Sequence, residues 1–177
     1  LACSRVGAWS CGVNARMSRG EVAAFIEKAD PRVVYFTHGV SEAASAHAQQ
    51  AHARSSVLPG LARSAVRTQA VAEQGELASR VAAIIFTSGT TGTPKGVLVS
   101  HQGLLQFGRV STESRQLSAA DRSYAYLPMT HIFGLGTVLM ASLYASAGLV
   151  MRSAFDPADV FASLATGGVT QLQGPPA

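Results

Sequence analysis

An apolar run of six residues that passes directly into a loop of glycines and hydroxyl residues constrains this chain most. Val81–Thr87 reads VAAIIFT, a continuous apolar stretch typical of a strand buried on both faces. The loop Thr87–Gly96 reads TSGTTGTPKG, and a second strand is predicted to resume at Val97–Val99. The pattern therefore predicts a buried sheet that presents a polar loop at one edge.

The composition of this loop suits the binding of an anion. Its three glycines allow a sharp turn that brings backbone amides close to a phosphate, and its threonines and serine add hydroxyl donors. Lys95, one of only two lysines in the chain, adds a mobile positive charge. An ordinary Gly/Thr hairpin turn is the alternative interpretation. A Walker loop is excluded, because from Gly89 it would need glycine at Pro94 and a hydroxyl residue at Gly96.

The rest of the chain alternates predicted helices and strands. Ser18 and Glu21 have capping-box spacing, and the helix that they begin should end at Asp30-Pro31. Asp156, Pro157 and Gly167 bracket a later helix. Further strands are predicted at Arg32–Thr37, Ser123–Leu127, Leu149–Arg152 and Val169–Gln173, and further helices at Val40–Ala53, His101–Ser111 and His131–Ala147. This order predicts an α/β fold of layered sheets flanked by helices, whereas residues 54–78 show no clear period.

Composition excludes several classes of protein. The chain is 47% hydrophobic with a net charge of +4, and no basic run interleaved with aromatic residues points to nucleic acid. No apolar stretch reaches the roughly 18–20 residues that a membrane span needs. Cys3 and Cys11 are interpreted as reduced thiols, with a disulfide as the alternative. These features predict a cytoplasmic protein without a membrane span.

The loop and the residues after it, TSGTTGTPKGVLVSH through His101, resemble the signature loop of the adenylate-forming superfamily. That superfamily comprises acyl-CoA synthetases, aryl-CoA ligases, beetle luciferases and nonribosomal adenylation domains. Leu127–Leu135 (LPMTHIFGL) is similar to the family's next motif, which borders the acyl pocket. Gly7–Glu21 and Val169–Pro176 resemble two further family segments. The resemblance thus covers nearly the whole chain, although it is weak over residues 41–78.

The resemblance implies a role for particular residues of this sequence. Lys95 and His131 are the expected catalytic residues, and Thr90 is expected near Mg²⁺. His131 would lie beside the substrate carboxylate and Phe133 in the wall of the acyl pocket; a histidine buried in the core is the alternative reading of His131. The residues expected to bind the phosphates of ATP are Thr87, Ser88, Gly89, Thr90, Thr91, Gly92 and Lys95.

The activity implied by the resemblance is that of an acid–thiol ligase. ATP would activate a carboxylic acid as an acyl-adenylate, and coenzyme A would then take up the acyl group as a thioester. A luciferase-like or nonribosomal adenylation domain, and a non-catalytic nucleotide- or acyl-binding remnant, are the alternatives. The chain is expected to be an incomplete part of one large N-terminal domain, with segments missing at both ends, and to be inactive alone. No acidic residue occurs between Asp121 and Asp156, so no carboxylate there could pair with a charged amine of the substrate. This favours a carboxylic acid with an uncharged tail as the substrate.

Overall fold

The computed structural model describes residues 1–87 and 94–175. Their helices are α1 (Ala2–Arg5), α2 (Arg19–Ala29), α3 (Glu42–Gln50), α4 (Glu76–Arg80), α5 (His101–Arg115), a π-helix (Phe133–Met140), α6 (Ala141–Tyr144) and α7 (Pro157–Ala165). Their strands are β1 (Ser10–Cys11), β2 (Tyr35–Phe36), β3 (Arg54–Ser55), β4 (Ala62–Arg63), β5 (Val81–Thr87), β6 (Lys95–Ser100), β7 (Arg122–Ala125), β8 (Gly148–Met151) and β9 (Gln171–Leu172).

Helix ends form where the sequence predicts them. The Ser18 side chain accepts a hydrogen bond from the Glu21 amide, and the Glu21 carboxylate accepts one of 2.8 Å from the Ser18 amide. This capping box begins α2, which ends at Asp30 in the left-handed region with φ of 44°. Asp156 caps α7 by accepting a hydrogen bond from the Ala158 amide, with Pro157 in the first turn.

Two compact units make up the chain. The first comprises Leu1–Gly12, Ser79–Ile85 and Val97–Ala177, and the second comprises Val13–Ala78 and Phe86–Gly96. In the first unit, β7 lies between β8 and β9, and both neighbours run parallel to it. β1 pairs in parallel with β5, with Ser10 opposite Ala83, and β6 lies on the other side of β5.

The parallel sheet β8-β7-β9 is covered on both faces. On one face Tyr124, which is 1% exposed, forms a core cluster with Val160 of α7 and with Val169. On the other face the Ser142 hydroxyl of α6 donates a 3.1 Å hydrogen bond to the Ser123 hydroxyl, and both residues are buried. Parallel sheets require such covering because both of their faces are apolar.

Helix α5 packs closely on the π-helix and α6. A Cβ atom built on Gly136 would lie 2.6 Å from the Phe107 ring, and one on Gly108 would lie 2.9 Å from the Met140 carbonyl oxygen. The Thr112 hydroxyl donates a 2.9 Å hydrogen bond to the Ala141 carbonyl. Glycine is therefore needed on both helices for their backbones to approach this closely.

The second unit is built around a small antiparallel sheet in the order β2-β4-β3. Phe36 and Ala62 of this sheet form a core with Ala48 of α3. Residues 54–78, which show no sequence period, supply β3, β4 and the start of α4. Strands of two residues are too short to carry a readable alternation, which explains why the sequence does not reveal them.

The α/β fold of layered sheets flanked by helices is confirmed. Three predicted elements differ in extent or type. The long helix expected at His131–Ala147 begins at Phe133 and is a π-helix as far as Met140. The strands expected at Arg32–Thr37 and Val169–Gln173 are only two residues long, Tyr35–Phe36 and Gln171–Leu172. Among residues 1–87 and 94–175, no helix is long and apolar enough to cross a membrane.

Candidate functional site

Thr87 and Lys95 are the two ends of the predicted phosphate loop that the structure describes, and both belong to the second compact unit. Thr87 ends β5 and Lys95 begins β6, and both side chains are exposed. The Thr87 hydroxyl lies 3.5 Å from the Lys95 carbonyl oxygen, at the outer limit of a hydrogen bond. The two ends of the loop are therefore close, and the lysine ammonium is accessible to an anion.

The strand end that carries Thr87 is held by aromatic packing. Phe86 stacks on Phe25 of α2 with ring centroids 4.4 Å apart and planes inclined by 10°. Such a pair adds stability beyond its buried area, about 0.5–1.5 kcal/mol. The position of Thr87 is thus fixed by the core of the second unit. Ser88, Gly89, Thr90, Thr91 and Gly92, the remaining residues expected to bind ATP or Mg²⁺, lie outside the described residues.

His131 lies in the first unit, on the connection between β7 and the π-helix. Its ring is exposed, so the alternative reading of a buried core histidine is wrong. The Phe133 amide donates a 3.1 Å hydrogen bond to His131 Nδ1. With Nδ1 as acceptor the ring proton of the neutral tautomer is on Nε2, which leaves an N–H donor available to a carboxylate.

The connection that carries His131 is held by a close backbone approach. A Cβ atom on Gly134 would collide with the Pro128 carbonyl oxygen and would lie 2.9 Å from the Leu127 carbonyl oxygen. Gly12, which follows β1, lies against Thr130 so closely that its Cβ would be 3.3 Å away. Phe133, the expected pocket residue, is half-buried at the first position of the π-helix. Backbone packing therefore positions His131 and Phe133 together.

The π-helix is a feature that the sequence analysis missed. Its amides bond to carbonyls five residues earlier, as the Ala141 amide does to Gly136, and the Thr137 hydroxyl donates to the Phe133 carbonyl at 2.6 Å. π-helical turns are rare and occur frequently at functional sites. The available signal was the pair Gly134 and Gly136 within an otherwise apolar run, which removes two side chains where other segments approach closely.

A charged cluster lies on the α7 face of the parallel sheet and has no counterpart in the predicted site. Arg152 contacts both carboxylate oxygens of Asp159, with nitrogen–oxygen distances of 2.6 and 3.1 Å. Tyr124 donates a 2.6 Å hydrogen bond to the same carboxylate. The bond from Arg152, followed by that from Tyr124, lowers the pKa of Asp159, and the bond to Asp159 raises the pKa of Tyr124. The cluster joins β7, β8 and α7, so it is structural.

The described residues offer little to a metal ion. Residues 1–87 and 94–175 contain no group of three or more histidine, cysteine or acidic side chains arranged to hold one. Cys3 and Cys11 are both free, and burial raises the pKa of the Cys11 thiol, which keeps it protonated. Within the described part of the loop, the Thr87 hydroxyl and the Lys95 ammonium suit phosphate oxygens and do not form a cation site.

Comparison with known proteins identifies the family. The family model described as AMP-binding enzyme matches residues 1–177, and the chain belongs to this family. It is 35% identical over 112 residues to 3-[(3aS,4S,7aS)-7a-methyl-1,5-dioxo-octahydro-1H-inden-4-yl]propanoyl:CoA ligase of Mycobacterium tuberculosis, covering 63% of this chain and 21% of that protein. It is 31% identical over 133 residues to malonate–CoA ligase of Arabidopsis thaliana, covering 71% of this chain and 22% of that protein.

The fold is also found in a solved structure. The structure of ATP-bound MatB from Rhodopseudomonas palustris matches with a TM-score of 0.68 at 22% identity, covering 98% of this chain and 35% of that chain. At this identity the likeness concerns the fold alone. The chain spans about a fifth of the length of the two curated relatives named above.

Proposed function

We propose that the protein to which this chain belongs is an acid–CoA ligase, which joins a carboxylic acid to coenzyme A at the expense of ATP. The observation that carries the proposal is the match of the AMP-binding family over the whole chain, together with relatives named as CoA ligases. Malonate–CoA ligase and the M. tuberculosis ligase are named for different acids, so the particular acid does not follow from them. The geometry of His131 and Lys95 supports the same chemistry.

In the first half-reaction a carboxylate oxygen of the acid attacks the α-phosphorus of ATP, and the bond to pyrophosphate breaks. The leaving pyrophosphate gains negative charge, which the Lys95 ammonium and the hydroxyl and amide donors of Thr87–Thr91 are proposed to stabilise. His131, whose Nδ1 accepts from the Phe133 amide, is proposed to donate Nε2–H to the carboxylate and hold it in line. Phe133 is proposed to contact the acyl tail.

Mg²⁺ bound near Thr90 would neutralise phosphate charge and so add to this stabilisation. In the second half-reaction the thiol of coenzyme A releases its proton to solvent and its sulfur attacks the acyl carbonyl, while the carbon–oxygen bond to AMP breaks and AMP leaves with the electron pair. The described residues contain no assigned contact for coenzyme A. The placement of the chain within one large N-terminal domain, and the cytoplasmic location, stay predictions.

The proposal is tested with the whole protein, ATP, Mg²⁺ and a panel of aliphatic and aromatic carboxylic acids. We expect acid-dependent exchange of labelled pyrophosphate into ATP, and formation of an acyl-CoA thioester when coenzyme A is added. Exchange without thioester formation would instead support a luciferase-like or nonribosomal adenylation domain. Failure of every acid to support exchange would support the non-catalytic remnant.

A further inference from the structure

Gln173 is a buried polar residue that the proposed mechanism does not use. It follows β9 directly and is 9% exposed. Its Oε1 and Nε2 atoms are both buried, and neither has a hydrogen-bond partner within residues 1–87 and 94–175. A carboxamide can accept two hydrogen bonds and donate two. Because nearly all buried polar groups in native proteins are paired, a carboxamide with no pair at either end calls for a partner.

The pairing of the strands places Gln173 on a known face of the sheet. β7 and β9 are parallel, with Ser123 opposite Gln171 and Tyr124 opposite Leu172. Continuing this register puts Gln173 opposite Ala125, on the face that carries Ser123. Ser123 bonds to Ser142 of α6, so this is the face that the π-helix and α6 cover. The carboxamide thus lies on the opposite face from the Tyr124–Asp159 cluster.

The same register places Gln173 at the carboxyl end of the parallel strands. The π-helix begins at this end of β7 with Phe133, and His131 lies on the connection that leads into it. Ligands of open α/β sheets bind outside the carboxyl ends of the strands. Gln173 therefore shares an edge and a face of the sheet with the segment that carries the proposed carboxylate-binding residue.

The backbone at this position is held in place. A Cβ atom on Gly174 would lie 2.7 Å from the Tyr126 hydroxyl oxygen, so the chain runs directly against the residue that follows β7. Tyr126 in turn packs on Phe155 with ring centroids 4.9 Å apart. The backbone beside Gln173 is therefore closely packed, and the carboxamide itself is buried away from water. A partner must therefore come to the carboxamide.

We propose that Gln173 is a specificity-determining residue whose carboxamide hydrogen-bonds a neutral polar group, a hydroxyl or a carbonyl, on the tail of the carboxylic acid. The inference rests on the proposed ligase function. A carboxamide supplies a donor and an acceptor without charge, which matches an uncharged tail and not an ionised one. A site that offers such a group discriminates strongly against analogues lacking the partner, because its own polar atoms are then left unpaired.

The test compares wild type, Gln173→Leu and the matched control Gln171→Leu in the whole protein. The substrates are pairs of acids that differ by one polar group, such as phenylpropanoic acid with its 4-hydroxy derivative and octanoic acid with its hydroxy and oxo derivatives. The readouts are kcat/KM for pyrophosphate exchange and the melting temperature with and without each acid. Leucine keeps the approximate volume of glutamine and removes both polar atoms.

We expect wild type and Gln171→Leu to prefer the polar member of at least one pair. Gln173→Leu should reduce that preference roughly tenfold or more, mainly by lowering kcat/KM for the polar acid. Without ligand, Gln173→Leu should melt at the same temperature as wild type or higher, because two unpaired polar atoms are gone.

Two results would overturn the inference. One is an unchanged preference in Gln173→Leu, which would mean that the carboxamide does not contact the acid; a lower melting temperature would then show that Gln173 pairs within the protein itself. The other is the absence of any preference in wild type for every pair. If no acid supports exchange, the proposed function fails separately. The melting shifts then still decide the inference, since Gln173→Leu must lose a stabilisation by the polar acid that Gln171→Leu keeps.

Discussion

The Tyr124 hydroxyl donates a 2.6 Å hydrogen bond to the Asp159 carboxylate, although the two residues lie 35 positions apart in the chain. Arg152 contacts the same carboxylate through two nitrogens, and its guanidinium carbon lies 5.8 Å from the Tyr124 ring centroid. One aspartate thereby joins two parallel strands to the helix that crosses between β8 and β9. The cluster fixes α7 on the sheet and leaves the opposite face to the π-helix.

This cluster should make stability depend on pH in the acid range. Hydrogen bonds from Arg152 and then Tyr124 hold the pKa of Asp159 below its usual range, so the folded state binds the proton less well than the unfolded state. Its contribution is present above the ordinary aspartate pKa of about 4 and is lost as pH falls through the lowered folded-state value. Asp159→Asn should reduce the melting temperature at neutral pH and flatten its decline as the pH falls below about 4.

The measurement is the melting temperature of the whole protein across that range of pH. Asp156→Asn is the control, because it changes a carboxylate of the same helix and keeps a side-chain oxygen for the cap. If Asp159→Asn and Asp156→Asn follow the same curve as wild type, the cluster contributes nothing measurable.

Gly134→Ala should disturb the connection that carries His131. The new methyl group would meet the Pro128 carbonyl and lie 2.9 Å from the Leu127 carbonyl oxygen, and these are backbone atoms that cannot turn aside. Overpacking of this kind costs about 1–3 kcal/mol, which denaturant unfolding of the whole protein would detect. Pyrophosphate exchange should slow as well, because the proposed carboxylate donor moves with this segment.

Gly20→Ala is the matched control, since nothing lies within 4 Å of its added Cβ and it sits in the first turn of α2. That variant should be as stable as wild type or up to about 1 kcal/mol more stable. A Gly134→Ala protein with wild-type stability and activity would show that the connection can shift without consequence.

Local signals account for the parts of the fold that could be predicted. β5 runs from Val81 to Thr87 as its unbroken apolar stretch indicates, and Ser18 and Asp156 cap the helices that they were expected to begin. These features depend on neighbours within a few residues. The bonds among Tyr124, Arg152 and Asp159 could not be predicted in the same way, because nothing local pairs residues that only the folded sheet brings together.

The π-helix was missed for a different reason. Phe133–Met140 is apolar throughout, apart from Thr137 and its glycines, so it carries no periodicity that could separate one helix type from another. Its geometry accompanies close packing at Gly134 and Gly136 against other segments. His131 and Lys95 were singled out by motif, which does not depend on the type of helix, and their roles stay predictions. Their placement relative to a bound substrate stays a prediction.

The substrate is predicted to be an acid with no ammonium group beside its carboxylate. A buried ammonium needs an acidic partner, because a buried unpaired charge is very costly. No aspartate or glutamate lies between Asp121 and Asp156, the part of the chain that contains His131 and Phe133. Pyrophosphate exchange with fatty or aromatic acids should therefore exceed exchange with every α-amino acid. Faster exchange with an amino acid than with its deaminated analogue would contradict this.

Lys95→Ala should slow acid activation while leaving the fold intact. Lys95 is exposed at the start of β6, so its removal opens no cavity and breaks no packing in the described structure. If its ammonium stabilises the leaving pyrophosphate, its loss should cost about 2–4 kcal/mol in the transition state, or roughly 10²–10³ in rate. Exchange of labelled pyrophosphate into ATP measures this step without the later transfer to coenzyme A.

The chain provides its own control for the loss of a lysine, because Lys28 is its only other lysine and lies in the last turn of α2. Lys28→Ala removes the same charge and should leave the rate of exchange unchanged. Lys95→Arg restores the charge without the compact ammonium, and it should recover only part of the rate if a point contact to phosphate is needed. Equal rates of exchange in Lys95→Ala and Lys28→Ala would remove Lys95 from the proposed mechanism. If the two variants differ in rate but have the same melting temperature, the difference in rate does not come from a difference in folding.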